Sequence, residues 1–139
     1  MRTTATFVLM LLAASAFAQS ANQAATDSSP PLCGDDPEAT TVRIEIDSDA
    51  KTIEPKECTV APGTTVIWWE DGSAAFDTNF PGNTPDASGQ KKFRSSKVGN
   101  HHQAKFKAKN VNARTSFSYD ATIDGVALDP TVIVDPNNK

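Results

Sequence analysis

The stretch Phe117 to Val134, FSYDATIDGVALDPTVIV, limits what this chain can fold into more than any other. Phe117, Tyr119, Ala121 and Ile123 share one parity, so an extended backbone puts all four on one apolar face. Asp124-Gly125 supplies a short turn, and a last β-branched strand follows Pro130, from Thr131 to Val134. The rest of the chain must provide partners for these strands.

It does so in short pieces. Thr41 to Asp47 alternates, with Val42, Ile44 and Ile46 on one side and Arg43, Glu45 and Asp47 on the other, which reads as a half-buried strand. A second extended piece starts at Ile53 and runs through Cys58 and Val60. Ala61-Pro62-Gly63 turns the chain, and Thr64 to Trp69, TTVIWW, is a strand apolar on both faces, ended by Glu70-Asp71-Gly72. Phe76 to Phe80 and Lys91 to Ser96 are further strand candidates, separated by a polar loop from Pro81 to Gln90. His101 to Lys109 alternates again, with Ala104, Phe106 and Ala108 opposite Lys105, Lys107 and Lys109. Turn signals recur roughly every ten residues and no helical period is present, which predicts an all-β, antiparallel sandwich of seven to eight strands.

The chain has 139 residues, enough for one domain. Arg2, the apolar run from Phe7 to Leu12 and the Ala16-Phe17-Ala18 pattern predict a signal peptide over 1–18, cleaved after Ala18. The apolar run falls short of the ~20 residues that a spanning helix needs, which weighs against an uncleaved anchor. Residues 19–32 are polar and end in Pro30-Pro31, predicting a flexible mature N-terminus ahead of the domain, 33–139. Export places the protein in the periplasm or outside a bacterial cell. In such an oxidising compartment Cys33 and Cys58, the two cysteines of the chain, are expected to form a disulfide. It would close a loop of about 26 residues and stabilise the fold by roughly 3–4 kcal/mol. A metal or redox pair is the competing reading, but the spacing is far from CxxC and no histidine is nearby in sequence. Without Arg2 the formal charge moves from -4 to -5, which weighs against a general nucleic-acid binder.

Three segments together resemble the cupredoxin family, the plastocyanin- and azurin-type domains. Val60 to Trp69, VAPGTTVIWW, is similar to the family's V-x-x-G-x-x-V-x-W strand. The apolar strand around Phe106 is the second segment, and Phe117 to Val134 resembles the C-terminal region that carries the family's Cys, His and Met ligands. The resemblance spans about residues 40–135 and implies a Greek-key β-sandwich. It also implies that the type-1 copper ligands are gone. Phe76 stands at the first His position, Ala121 at the Cys, Asp124 at the second His and Ala127 at the Met. Neither Phe76 nor Ala121 can ligate a metal, and a type-1 site depends on the thiolate. Electron transfer is therefore not expected to carry over, and no cofactor is expected.

Other residues offer weaker chemistry. His101-His102 is the one histidine pair, read either as solvated loop histidines or as a surface site for copper, nickel or zinc. Adjacent residues on a strand face opposite ways, so the two rings converge only if Gly99-Asn100 turns the chain there. Residues 87–119 hold Lys91, Lys92, Arg94, Lys97, Lys105, Lys107, Lys109 and Arg114 and no acid. This is either a solvated face that discourages edge pairing or an anion-facing surface for acidic glycans, lipid headgroups or an acidic partner. Asp120, Asp124 and Asp129 cluster near the C-terminal loop, where turn formation is the simplest role and catalysis the alternative. Trp68, Trp69 and Phe76 are simplest as core, with one tryptophan lining a ligand groove as the sharper reading. Together these features predict a monomeric, non-enzymatic binding or accessory module with a protein, glycan or envelope partner. A metal-binding protein using His101 and His102 is the alternative.

Overall fold

The computed structural model describes residues 29–139. The signal peptide expected at 1–18 and residues 19–28 of the expected N-terminal segment lie outside the described residues. The described chain forms twelve short strands and no helix. They are β1 (Thr41–Asp47), β2 (Thr52–Glu54), β3 (Glu57–Val60), β4 (Thr65–Glu70), β5 (Phe76–Asn79) and β6 (Lys92–Arg94). Then follow β7 (Ser96–Val98), β8 (His101–Lys107), β9 (Thr115–Ser118), β10 (Asp120–Ile123), β11 (Val126–Leu128) and β12 (Thr131–Val134).

One sheet has the order β2-β1-β4-β8-β7, a second β11-β10-β5-β6 and a third β3-β12-β9. β9 and β10 are one run of chain divided at Tyr119, so the second and third sheets continue into one another. Together they face the first sheet across the core, and the fold is an all-β sandwich.

The strand count and the pairing differ from expectation, and bends explain most of the difference. The extended runs expected around Ile53–Val60, Phe93 and Phe117–Ile123 each pair with one sheet and then another. They break at Pro55-Lys56, Ser95 and Tyr119. The sheets are also mixed rather than purely antiparallel: β1 pairs parallel with β4, and β3 parallel with β12. The chain leaves β1 through the β2 hairpin, crosses to the third sheet as β3, and returns as β4 running the same way as β1. Asp124 and Gly125 both have positive φ, 47° and 78°, which makes a two-residue hairpin turn and creates β11, a strand not expected from the sequence.

Alternation fills the core as the sequence implies. Val42, Ile44 and Ile46 of β1, Val66 and Trp68 of β4 and Ala104 and Phe106 of β8 all point inward. From the facing layer come Phe76, Phe93, Phe117, Tyr119, Ala121, Ile123 and Val132. Trp68 is at the centre, with ring centroids 5.1 Å from Phe106 and 5.4 Å from both Phe93 and Tyr119. Its Nε1–H donates to the Tyr119 hydroxyl at 2.9 Å, so the indole is buried without an orphaned donor. The Cys33–Cys58 disulfide is present, with a Cα–Cα distance of 5.7 Å. It ties the segment beside β1 to β3 and so links the two layers. Backbone pairing begins before Cys33, since Arg43 N–H donates to the Pro31 carbonyl and Leu32 bridges Arg43.

Candidate functional site at the loop end of the sandwich

The β1–β2 turn, the loop after β4 and the β10–β11 turn lie side by side at one end of the sandwich. Lys51 joins the first to the last, its Nζ lying 2.7 Å from Asp124 Oδ2 and also donating to the Ser48 carbonyl. Phe76 opens β5 and faces Ile123 across the pairing with β10, while Ala121 faces Thr78. Phe76 and Ala121 are thus diagonal neighbours on one core face, 2 % and 0 % exposed. Asp124 and Ala127 do not join them. Asp124 occupies the hairpin turn and reaches out to Lys51. Ala127 pairs with Thr122 on the outward face of β11 and is exposed. Both cysteine sulfurs are in the disulfide, so no thiolate is present.

The histidine pair corrects the loop reading. Gly99, at φ 60°, and Asn100 close a tight hairpin in which Val98 already pairs with His101, so β8 begins at His101 itself. The rings therefore diverge. His101 faces outward and stacks on Trp69, with centroids 3.5 Å apart and planes 16° apart. Trp69 Nε1–H donates to the Asp71 carboxylate. His102 faces the other way, opposite Glu70 of β4.

Glu70 is the residue that sequence reasoning missed. The sequence reads it as part of the Glu70-Asp71-Gly72 strand end; it is the last, inward position of β4, and 2 % exposed. Its parity with Val66 and Trp68 was the available signal. Ser48 Oγ donates to Glu70 Oε1 at 2.7 Å. Glu70 Oε2 has no hydrogen-bond partner, nor does His102 Nδ1, and the two are 3.9 Å apart. Gly72 passes so close that a Cβ there would meet Glu70 Oε1 at 2.6 Å. Beside Glu70 lies a groove of about 710 Å³ whose lining residues include Glu45, Asp47, Asp49, Asp71 and Asp124. Among the described residues no three His, Cys, Asp or Glu side chains converge as a metal-holding group.

The cationic residues occupy a different part of the molecule. Lys92 and Arg94 flank Phe93 on β6, an edge strand; Lys105 and Lys107 flank Phe106 on β8. Phe93 and Phe106 meet in the core, so the cations of β6 and β8 point to opposite outer faces and wrap the edge between them. Arg94 and Lys105 both line a groove of about 230 Å³, Lys91 is exposed next to β6, and Lys97 is exposed on β7. Lys109 is not part of this edge: its ammonium sits 4.9 Å over the Phe117 ring. Of the aspartates weighed for catalysis, Asp120 and Asp124 stand at opposite ends of β10, about 13 Å apart at strand rise, so they do not form a working pair.

Two groups elsewhere have shifted acidities. Burial raises Tyr119 above its ordinary value, against the smaller opposing effect of the Trp68 hydrogen bond. Asp135 is lowered, first by the Asn137 backbone N–H and then by Arg114, 3.1 Å away. No family model matches the chain, and no curated protein matches it.

Proposed function

We propose that this is an exported, cupredoxin-like binding or accessory module, not an enzyme, that works without type-1 copper and carries no electrons. The observation that supports this most is the packing of Phe76 and Ala121. At the positions where the resemblance puts a histidine and the thiolate, side chains of pure carbon face the core. A thiolate-bearing copper site needs donor atoms there, and these residues offer none. Export is supported by the expected signal peptide and by the disulfide, which belongs to oxidising compartments. Among the described residues no helix is long and apolar enough to cross a membrane.

The contact surface that best suits such a module is the β6–β8 edge. Lys91, Lys92, Arg94, Lys105 and Lys107 are exposed there, and Arg94 has one acidic partner, Asp77, at 3.1 Å. A long anionic chain, such as an acidic glycan, complements that edge. Retention on an immobilised sulfated polysaccharide, eluted with rising salt, tests it. The Lys105→Glu/Lys107→Glu variant is expected to elute at clearly lower salt than the wild type. Equal elution of the two proteins would refute a contact at this edge.

A further inference from the structure

β7 stops short along β8. Val98 and Ser96 pair with His101 and Gln103, but at Ser95 the chain has crossed to the second sheet, where Ser95 N–H donates to the Phe76 carbonyl at 2.9 Å. Lys105 comes next in that row of β8, and no β7 residue stands opposite it. The two sheets part there, and a cleft of about 230 Å³ lies between β6 and β8. Its lining includes the buried Phe93 and Ala104, with Arg94, Ser96, Gln103 and Lys105, and no acidic residue among the described ones.

The groups around this cleft are donors in want of an acceptor. Asp77 takes the Arg94 Nε–H at 3.1 Å, and among the described residues the Nη groups of Arg94 have no partner. Those Nη groups keep the planar, forked donor geometry that suits an oxyanion. Lys105 forms no ion pair among the described residues. Gln103 Oε1 lies 3.4 Å from His101 Nε2, which leaves the Gln103 amide NH₂ as a donor, and Ser96 adds a hydroxyl. The Gln90 amide, also in the lining, is already used in donating to the Lys92 carbonyl at 2.7 Å. At about 30 Å³ per water, a cleft of about 230 Å³ holds one sulfate or carboxylate group with a few waters, while a polysaccharide backbone has to lie outside it.

We propose that this cleft seats one sulfate or carboxylate substituent of an acidic glycan, with Arg94 and Lys105 as its charged contacts and Gln103 and Ser96 as neutral donors. The inference rests on the edge contact proposed above and adds to it a fixed anchoring point. Lys92 and Lys107 are exposed on the same two strands but do not line the cleft, so they attract the rest of the chain as solvated charges. The edge therefore has two kinds of cation, and replacing one kind is not equivalent to replacing the other.

Equilibrium binding of the whole protein to an immobilised sulfated polysaccharide, at one fixed salt concentration, tests the cleft with the single variants Arg94→Gln, Lys105→Gln, Lys92→Gln and Lys107→Gln. Each removes one exposed positive charge, so none is expected to disturb folding. The first two should weaken binding about tenfold or more, as loss of a charge-assisted hydrogen bond does. The other two should weaken it about fivefold at most, as loss of a screened surface charge does. Amide NMR supplies a second readout on the wild type. A monosulfated monosaccharide and, separately, a uronic acid are titrated in; at least one should shift the backbone amides of Ser96, Gln103 and Lys105, and Arg94→Gln should abolish those shifts. Equal weakening in all four variants, or shifts that are absent or confined to residues outside the cleft, would overturn the cleft and leave the edge contact standing. No retention of the wild type would overturn both.

Discussion

Replacing Phe76 by alanine distinguishes a structural role from a vacated ligand position in a pliable loop. Phe76 is 2 % exposed, sits at the start of β5 and packs in the core cluster opposite Ile123. An aromatic side chain buries about 150–250 Å². At about 25 cal/mol per Å² that corresponds to about 4–6 kcal/mol, an upper figure because the unfolded chain already hides some of it. Truncations of buried Phe to Ala cost about 3–5 kcal/mol, cavity included. With an unfolding entropy of about 2.1 cal/mol/K per residue over the described chain, the melting temperature should fall by about 13–21 °C. Urea unfolding followed by tryptophan fluorescence is the assay, with the disulfide left oxidised. Ala127→Ser, at an exposed position on β11, is the control and should stay within about 0.5 kcal/mol of the wild type. A loss below about 1 kcal/mol for Phe76→Ala would refute the claim that this position is load-carrying core.

Other consequences follow from the same packing. Removing both cysteines, as Cys33→Ala/Cys58→Ala, should lower stability by about 3.5 kcal/mol in the chain-entropy model, read by urea unfolding; an unchanged midpoint would contradict a link between the layers. Tyr119 is the one tyrosine of the chain, so its ionisation is visible alone in ultraviolet absorbance. Its folded value is raised, so the neutral form's stabilisation is intact below the unfolded value of about 10 and is lost as pH rises beyond it. No tyrosinate absorbance should appear near pH 10–11 until the protein unfolds; a free titration near 10 would refute the burial. Tyr119→Phe leaves the Trp68 indole N–H without its acceptor and should cost about 1–3 kcal/mol by urea unfolding. The lowered value of Asp135 places its contribution above the unfolded carboxylate range, with loss as pH falls through the folded value. In acid unfolding, Asp135→Asn should therefore lose stability relative to wild type at neutral pH and converge with it in strong acid.

Period-two alternation made much of this fold legible. Thr41–Asp47 matches its strand to the residue, and the inward parity of Phe117, Tyr119, Ala121 and Ile123 holds throughout β9 and β10. What alternation does not encode is where a strand changes sheets. The inward parity continues through Ser95 and Tyr119, both of them buried, while the hydrogen-bonding partner changes. The polar loop Pro81–Gln90 hides a similar lesson: Asp86 is buried because its carboxylate accepts from the Ser88 and Gln90 backbones, a compensation that composition cannot reveal. Glu70 was hidden for the same reason. A glutamate followed by Asp-Gly reads as the end of a strand, and only the Ser48 hydroxyl, 22 residues away, shows how its carboxyl group is held inside. His101 and His102, read from the sequence as loop histidines, instead open β8, because the Gly99-Asn100 turn is tight enough for Val98 to pair with His101.

The most direct measurement is the visible spectrum and metal content of the oxidised protein after Cu(II) loading and gel filtration. No intense thiolate charge-transfer band should appear, because both cysteine sulfurs are in the disulfide. One tightly held copper per chain, with an intense visible charge-transfer band, would contradict the reading of Phe76 and Ala121 as carbon in place of ligands.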